Sequence, residues 1–149
     1  MSYHSKYGAI TETQVVFIDA ALKYKAEQKP NLSILEIGMG TGLNVLMTYI
    51  ETEKSNLTID FTTLEGFPIT DAQADELNFC DELGKEFHPI LTKIHSSEWN
   101  KKHQLSPTFQ FEKQLKLFEE IDSKNQFDII YFDAFSPTSQ PELLSLIHI

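Results

Sequence analysis

Three glycines in alternation constrain this chain more than any other feature. Gly38, Gly40 and Gly42 follow the apolar run from Leu32 to Ile37, and an amphipathic segment begins directly after them. Such a pattern is typical of the first strand-to-helix turn in a parallel α/β sheet, because glycine adopts backbone conformations that other residues avoid. The sequence therefore predicts a strand, a glycine turn and a helix at the centre of the fold.

The spacing of the glycines discriminates between the ligands that this kind of turn can hold. A dinucleotide fingerprint reads G-x-G-x-x-G, and Leu43 stands where its third glycine should fall. The observed G-x-G-x-G, with Glu36 two residues ahead, is more typical of S-adenosylmethionine sites. We therefore predict that Gly38, Gly40 and Gly42 bind this cofactor. A tight turn without a ligand remains an alternative, since glycines also serve turns alone.

Composition narrows the class of protein. A chain of 149 residues, 41% of them hydrophobic, is expected to form one domain. The net charge of -10 argues against the broad basic surface of most nucleic-acid binders. Because the chain has no arginine, any phosphate contact is expected from lysine, backbone amides or helix ends. With Cys80 as the single cysteine, neither an internal disulfide nor a Cys-based zinc site is expected. No apolar run approaches the roughly 18 residues of a membrane span, so a cytoplasmic protein without a membrane partner is expected.

Strand and helix patterns alternate along the chain. Residues 1–10 predict an arm or loop, and capping-box patterns at Thr11–Gln14 and Thr70–Gln73 predict helix starts, the second helix running toward Leu83. Further strands are predicted near 58–64 and 127–132, and residues 109–117 are predicted to contain a strand that runs into a short helix. The alternation indicates an α/β fold with a doubly wound parallel sheet.

An acidic residue ends the predicted strand at 58–64. Glu65 lies about 20 residues beyond the glycines, where a carboxylate accepts hydrogen bonds from the ribose hydroxyls of a bound nucleotide. We predict that Glu65 binds the cofactor in this way. An acid at a strand end is also often only solvated, and that alternative stays open.

Several stretches together resemble the MnmC-like bacterial tRNA methyltransferases. They read Tyr3-His4-Ser5 with Gly8-Ala9-Ile10 and Glu12, E-I-G-M-G-T-G-L-N from Glu36 to Asn44, L-E-G-F-P from Leu64 to Pro68, and Y-F-D-A-F-S-P from Tyr131 to Pro137 with Gln140-Pro141-Glu142. The resemblance implies a Rossmann-like class I methyltransferase that uses S-adenosylmethionine. Its implied partner is tRNA, in which the aminomethyl group of a modified wobble 2-thiouridine would be methylated. The flavin-binding oxidoreductase domain of the bifunctional members is not seen in this sequence.

Further residues are assigned roles from their places in these motifs and in the predicted sheet. Asn44 joins the cofactor-binding set, and Glu36 either reaches the ammonium group of the cofactor or accepts from nearby backbone amides. Asp133 is the expected catalytic residue, accepting a proton or a hydrogen bond from the substrate amine, although it could instead cap the following turn. The residues expected to shape the substrate pocket are Phe135, Ser136 and Pro137.

The only basic concentration in this acidic chain lies between Phe87 and His103. Under the resemblance, Lys101 and Lys102 would meet tRNA phosphates and Trp99 would stack on an unpaired base. A solvated loop whose Trp99 fills the core is the alternative interpretation.

Two departures from the family pattern bear on the completeness of the domain. Only sixteen residues follow Asp133, so the last strands are expected to be missing, and residues 143–149 are expected to be a tail foreign to the fold. Leu115 and Lys116 also occupy the region where the family fold often places an acid near the adenine. An inactive fragment therefore remains an alternative. A NAD-dependent oxidoreductase is the rival enzyme class, disfavoured by the glycine spacing and by the absence of a second nucleotide-binding half in the sequence, and the oligomeric state is open.

Overall fold

The computed structural model describes residues 3–116 and 127–132 of the chain, and these residues form helices packed on a sheet. The helices are α1 (Tyr3–Glu12), α2 (Lys23–Ala26), α3 (Leu43–Ser55), α4 (Asp71–Asp75), α5 (Cys80–Leu83) and α6 (His88–Ser96). A π-helical segment (Thr13–Leu22) joins α1 to α2, and a 3-10 turn (Lys85–Phe87) precedes α6. The strands are β1 (Asn31–Ile37), β2 (Thr58–Glu65), β3 (Lys102–Ser106), β4 (Phe109–Leu115) and β5 (Ile129–Phe132).

The five strands form one sheet in the order β3-β4-β2-β1-β5. β1 pairs in parallel with β2 and β5, and β2 pairs in parallel with β4. The predicted α/β class is therefore confirmed, and the glycine turn follows β1, the first strand of the chain, as expected. The departure is β3, which is antiparallel to β4 and makes one edge of the sheet a hairpin.

The amino-terminal region differs from its prediction. Residues 3–12 are helical rather than an arm or loop, and the helix continues through Thr13 without a side-chain cap at its expected start. The reason is tertiary packing: Ala9 and Ile10 contact the core, and Ile18 and Leu22 are buried in it. This burial outweighs a local capping signal, which is worth only about 1 kcal/mol.

The region after β2 was only partly predicted. The capping box at Thr70 is present, with its hydroxyl accepting from the Gln73 amide and the Gln73 side chain accepting from the Thr70 amide. The helix that follows was expected to reach Leu83 but is divided into α4 and α5. The segment 87–103, which showed no regular pattern, contains α6 and the first residues of β3.

Alternation along the strands decides which side chains share a face of the sheet. Leu32 and Ile34 of β1 join the main core beneath the helices, whereas Leu35 and Ile37 belong to a smaller cluster on the opposite face. The period of two places Glu36 on the helix-covered face. The same rule places Thr63 and Glu65 of β2, and Lys113 of β4, on that face at the carboxyl ends of their strands.

None of the helices within the described residues is long and apolar enough to cross a membrane. The expectations for residues 133–149, including the foreign tail and the pocket-forming residues, lie outside the part of the chain that the structure describes.

Candidate functional site

The glycine loop between β1 and α3 requires its glycines. Gly38, Gly40 and Gly42 have φ values of 86°, 55° and 83°, in the left-handed region that favours glycine. At Gly42 a Cβ atom would also stand 3.1 Å from His95 Nε2, so a side chain there would both strain the backbone and press on the His95 ring. The alternation seen in the sequence therefore has a conformational cause.

Hydrogen bonds fix the loop against the end of β2. The amides of Gly38 and Met39 donate to the Leu64 carbonyl at 2.9 and 3.2 Å, and the Gly42 amide donates to the Met39 carbonyl at 3.1 Å. The Thr41 amide has no partner among residues 3–116 and 127–132. Together with the first amides of α3, which no helix carbonyl can reach, it provides donors for an anionic group such as a ligand carboxylate.

Glu65 is joined directly to the glycine loop. Its Oε1 accepts from the Gly40 amide at 2.8 Å, and its Oε2 accepts from the Phe67 amide at 3.1 Å. Each carboxylate oxygen retains acceptor capacity after one such bond. Glu65 thus lies where the sequence indicated, at the end of β2 and against the glycines, and it is still able to accept from hydroxyl groups of a ligand.

Beneath the loop, a chain of buried polar side chains connects four elements. Glu36 is 0% exposed, and its carboxylate accepts from the Thr63 hydroxyl and from the Asn44 side-chain amide, each at 2.8 Å. The Asn44 carbonyl oxygen in turn accepts from the Thr13 hydroxyl at 2.7 Å. Glu36 and Asn44 therefore lie together under the glycines and brace them through side-chain bonds. Whether either residue binds a cofactor stays a prediction.

A small cavity opens beside the loop at the same edge of the sheet. Its volume is about 60 Å³, and its lining includes Gly40, Glu65, Asp71, His95, Trp99 and Lys113. Lys113 is the unexpected member, since it is only 2% exposed. Its Nζ donates to the His95 carbonyl at 2.7 Å and lies 4.5 Å from the centre of the Trp99 ring. Burial lowers the pKa of Lys113, and the negative charge of Asp71 opposes that effect.

His95 links α6 to the glycine loop. Its Nε2 lies 2.7 Å from the Thr41 carbonyl oxygen, which can only accept, so Nε2 carries the proton of this bond. Burial lowers the pKa of His95 and outweighs the opposing effect of that bond, so the ring is neutral at pH 7. A neutral ring with a fixed tautomer holds the loop beside Gly42, where an added Cβ atom would stand 3.1 Å from Nε2.

The basic residues expected to meet tRNA do not form one patch with Trp99. The Trp99 ring packs against the core and under Lys113, as in the alternative interpretation of this segment. Lys101 pairs with Glu98 at 3.1 Å on the surface, and Lys102 lies 4.0 Å from Asp60. Both lysines remain accessible, but acids accompany them.

The expected catalytic and substrate residues fall outside the described residues. β5 ends at Phe132, which pairs with Ile37, so the chain leaves β5 at the same edge as the glycine loop. Asp133 is the next residue in the sequence, but neither it nor Phe135, Ser136 or Pro137 can be placed against the cavity.

Sequence reasoning missed Lys113, Asp71 and the position of His95. The alternation Phe109, Phe111, Lys113 was the available signal, because it places the lysine on the buried face of β4. Asp71 and His95 carried no such signal, since helices α4 and α6 bring them to the cavity through tertiary packing.

The residues at this edge suit a nucleoside ligand with a charged tail. Amide donors at Thr41 and at the start of α3, which have no partner among residues 3–116 and 127–132, match a carboxylate, and Glu65 offers acceptors for hydroxyl groups. The cavity next to Glu65 adds both a buried cation and an anion, Lys113 and Asp71.

Comparisons with known proteins agree with this geometry. No family model matches the chain. The chain is similar to proteins named "tRNA 5-methylaminomethyl-2-thiouridine biosynthesis bifunctional protein MnmC". It is 27% identical to that of Methylobacillus flagellatus over 95% of its own length, 27% to that of Delftia acidovorans over 96%, and 29% to that of Leptospira interrogans over 95%. The chain spans about a quarter of the length of these relatives, 24% in each case.

A solved structure supports the fold. The crystal structure described as MnmC2 from Aquifex aeolicus matches 93% of this chain and 46% of that chain, with a TM-score of 0.68 and 23% identity. The resemblance to the MnmC-like proteins is therefore confirmed by sequence over nearly the whole chain, and the fold is confirmed by structure.

Proposed function

We propose that this chain is an S-adenosylmethionine-dependent methyltransferase domain that methylates the aminomethyl group of a modified wobble 2-thiouridine in tRNA. The observation that carries the proposal is the bond between Glu65 and the Gly40 amide at the carboxyl edge of the sheet. It joins a ribose-type acceptor to a glycine turn in the arrangement that nucleoside ligands require. The tRNA base named in this proposal is taken from the names of the similar MnmC proteins. A tRNA-modifying enzyme would work in the cytoplasm.

Each part of the site would hold one part of the cofactor. The Thr41 amide and the first turn of α3 would bind the carboxylate of the methionine half. Glu65 would accept hydrogen bonds from the ribose hydroxyls while keeping its bond to Gly40. Glu36 and Asn44 would support the loop from below, and Gly38 and Gly42 would let the backbone approach the ligand.

When bound, S-adenosylmethionine supplies an electrophilic methyl group on a sulfonium. The work of the chain is then to align the acceptor amine with that methyl group and to keep the amine unprotonated. Asp133 would accept the proton of the amine, or a hydrogen bond from it. Phe135, Ser136 and Pro137 would shape the pocket for the base. Lys101, Lys102 and Trp99 would contribute to binding tRNA, although Trp99 does so only if its packing under Lys113 changes.

Methyl transfer to defined tRNAs tests this function. The chain is incubated with S-adenosylmethionine that carries a tritiated methyl group, and with tRNA bearing either aminomethyl-2-thiouridine or unmodified uridine at the wobble position. We expect label in the wobble nucleoside of the first tRNA alone, and we expect Asp133→Asn to lower the rate by roughly 100-fold. Label in both tRNAs, or in neither, would refute the proposed substrate.

A further inference from the structure

Lys113 is a buried cation that the described structure leaves incompletely paired. Its side chain is 2% exposed, and no carboxylate among the described residues lies within 4.0 Å of Nζ. One N–H is used by the His95 carbonyl and the Trp99 ring lies beneath the group. A buried cation is costly unless it is paired and hydrogen-bonded. Its remaining donors border the cavity next to Glu65.

Asp71 provides the opposite charge on the same cavity. It occupies the first position of α4 after the Thr70 cap, is exposed, and lines the cavity together with Lys113. The two charges thus border one space without forming an ion pair. A ligand edge with one hydrogen-bond acceptor and one donor would satisfy both groups. Its acceptor would receive a hydrogen bond from Lys113, and its donor would give one to Asp71.

From these two opposite charges on one cavity, we infer that Lys113 and Asp71 recognise the adenine of the bound cofactor, an inference that rests on the proposed function. Lys113 Nζ donates to a ring nitrogen, and the Asp71 carboxylate accepts from the exocyclic amine. The base would enter the cavity from Glu65, which holds the attached ribose. This pair replaces the acid that the family fold often places after the third parallel strand, where Leu115 and Lys116 stand here.

The volume of the cavity agrees with an adenine base that inserts one edge into it. A volume of about 60 Å³ is several times the roughly 10–15 Å³ that a cavity needs to hold one water. The exocyclic amine, its carbon and the neighbouring ring nitrogen need space of the same order. The base would displace water that otherwise solvates the two charged groups, and its edge would satisfy them in return.

Hypoxanthine reverses the pattern that the pair recognises. Its ring nitrogen carries a proton, which would face the donors of Lys113, and its exocyclic oxygen would face the Asp71 carboxylate. A site built to hydrogen-bond one pattern rejects the other because its buried polar groups are then left unpaired. We therefore expect S-adenosylhomocysteine to bind at least roughly tenfold more tightly than S-inosylhomocysteine.

Titration calorimetry with these two compounds tests the inference without any catalytic turnover. Lys113→Met and Asp71→Asn should each reduce the preference for the adenosyl compound to within about threefold. Lys85→Met and Asp75→Asn are matched controls, because both residues are exposed and neither lines the cavity, and both should keep the wild-type preference. Thermal melts report folding, and if Lys113→Met fails to fold, the exposed Asp71→Asn decides the outcome.

The failure of this inference is distinguishable from the failure of the proposed function. If the wild type binds S-adenosylhomocysteine without discrimination, or if both variants keep the preference, the roles of Lys113 and Asp71 are overturned and the proposed function stands. If the wild type binds neither compound, both are overturned.

Discussion

Thr63→Val tests the buried chain that supports the glycine loop. Thr63 is 0% exposed, and its hydroxyl donates to Glu36 Oε1 at 2.8 Å. A hydrogen bond to a charged group contributes about 1.5–3 kcal/mol, and the added buried methyl group returns about 0.8 kcal/mol. Replacing the hydroxyl by a methyl group of similar size should therefore lower the free energy of unfolding by about 1.5 kcal/mol.

Urea denaturation at pH 7 measures this loss, and two variants isolate its cause. Thr62→Val makes the same chemical change one residue earlier on the opposite face of β2, where no hydrogen bond of the hydroxyl is found in the described residues. It should change stability by less than about 0.5 kcal/mol. Thr63→Ser keeps the donor and should cost less than Thr63→Val.

A double-mutant cycle then assigns the energy to the pair. In the Glu36→Gln variant, position 36 carries no carboxylate that loss of the Thr63 hydroxyl could leave unpaired. The loss of unfolding free energy caused by Thr63→Val should therefore be smaller in this background than in the wild type, by at least about 0.5 kcal/mol. Equal costs of Thr63→Val in both backgrounds, or a wild-type stability for Thr63→Val itself, would refute the role of this bond.

Two further predictions concern pH and tRNA. Burial lowers the pKa of His95 from its ordinary value of 6.5, so the folded state binds fewer protons than the unfolded state and stability falls as pH drops below about 6.5. In His95→Gln the loss of stability between pH 7 and pH 5 should be smaller, as followed by urea midpoints, and an unchanged pH dependence would contradict the assignment. Lys101→Glu with Lys102→Glu should weaken tRNA binding and flatten its salt dependence by about 1.5 in the slope of log K against log salt, and unchanged affinity would exclude the two lysines from the interface.

Local patterns were sufficient to predict the centre of the fold. The glycines predicted a turn after the first parallel strand, and their positive φ values explain why glycine is favoured at all three positions. The place of Glu65 at the end of the next strand was also expected, and the residue bonds to Gly40 there, while its binding of ribose stays a prediction. These features succeed because strand, turn and acid are close in sequence and share one edge of a parallel sheet.

Features that depend on distant contacts were not predicted. The amino-terminal helix owes its extent to burial of Ile18 and Leu22 rather than to its capping residues, and β3 forms because it pairs with β4. The sequence left Trp99 open between a basic patch and the core, and the structure packs it against the core under Lys113. No local rule reveals that α6 lies over the glycine loop and that Lys113 lies beside it.

Binding of the methyl donor is the measurement that tests the central claim most directly. Calorimetric titrations of the chain with S-adenosylmethionine and with NAD, each paired with a thermal melt, compare the proposed cofactor with its rival. We expect S-adenosylmethionine to bind and, at 100 times its Kd, to stabilise the fold by about 2.7 kcal/mol, with NAD giving neither effect. Binding of NAD alone would indicate an oxidoreductase-type site, and a cooperative melt that neither compound shifts would contradict the assignment of this edge as a cofactor site.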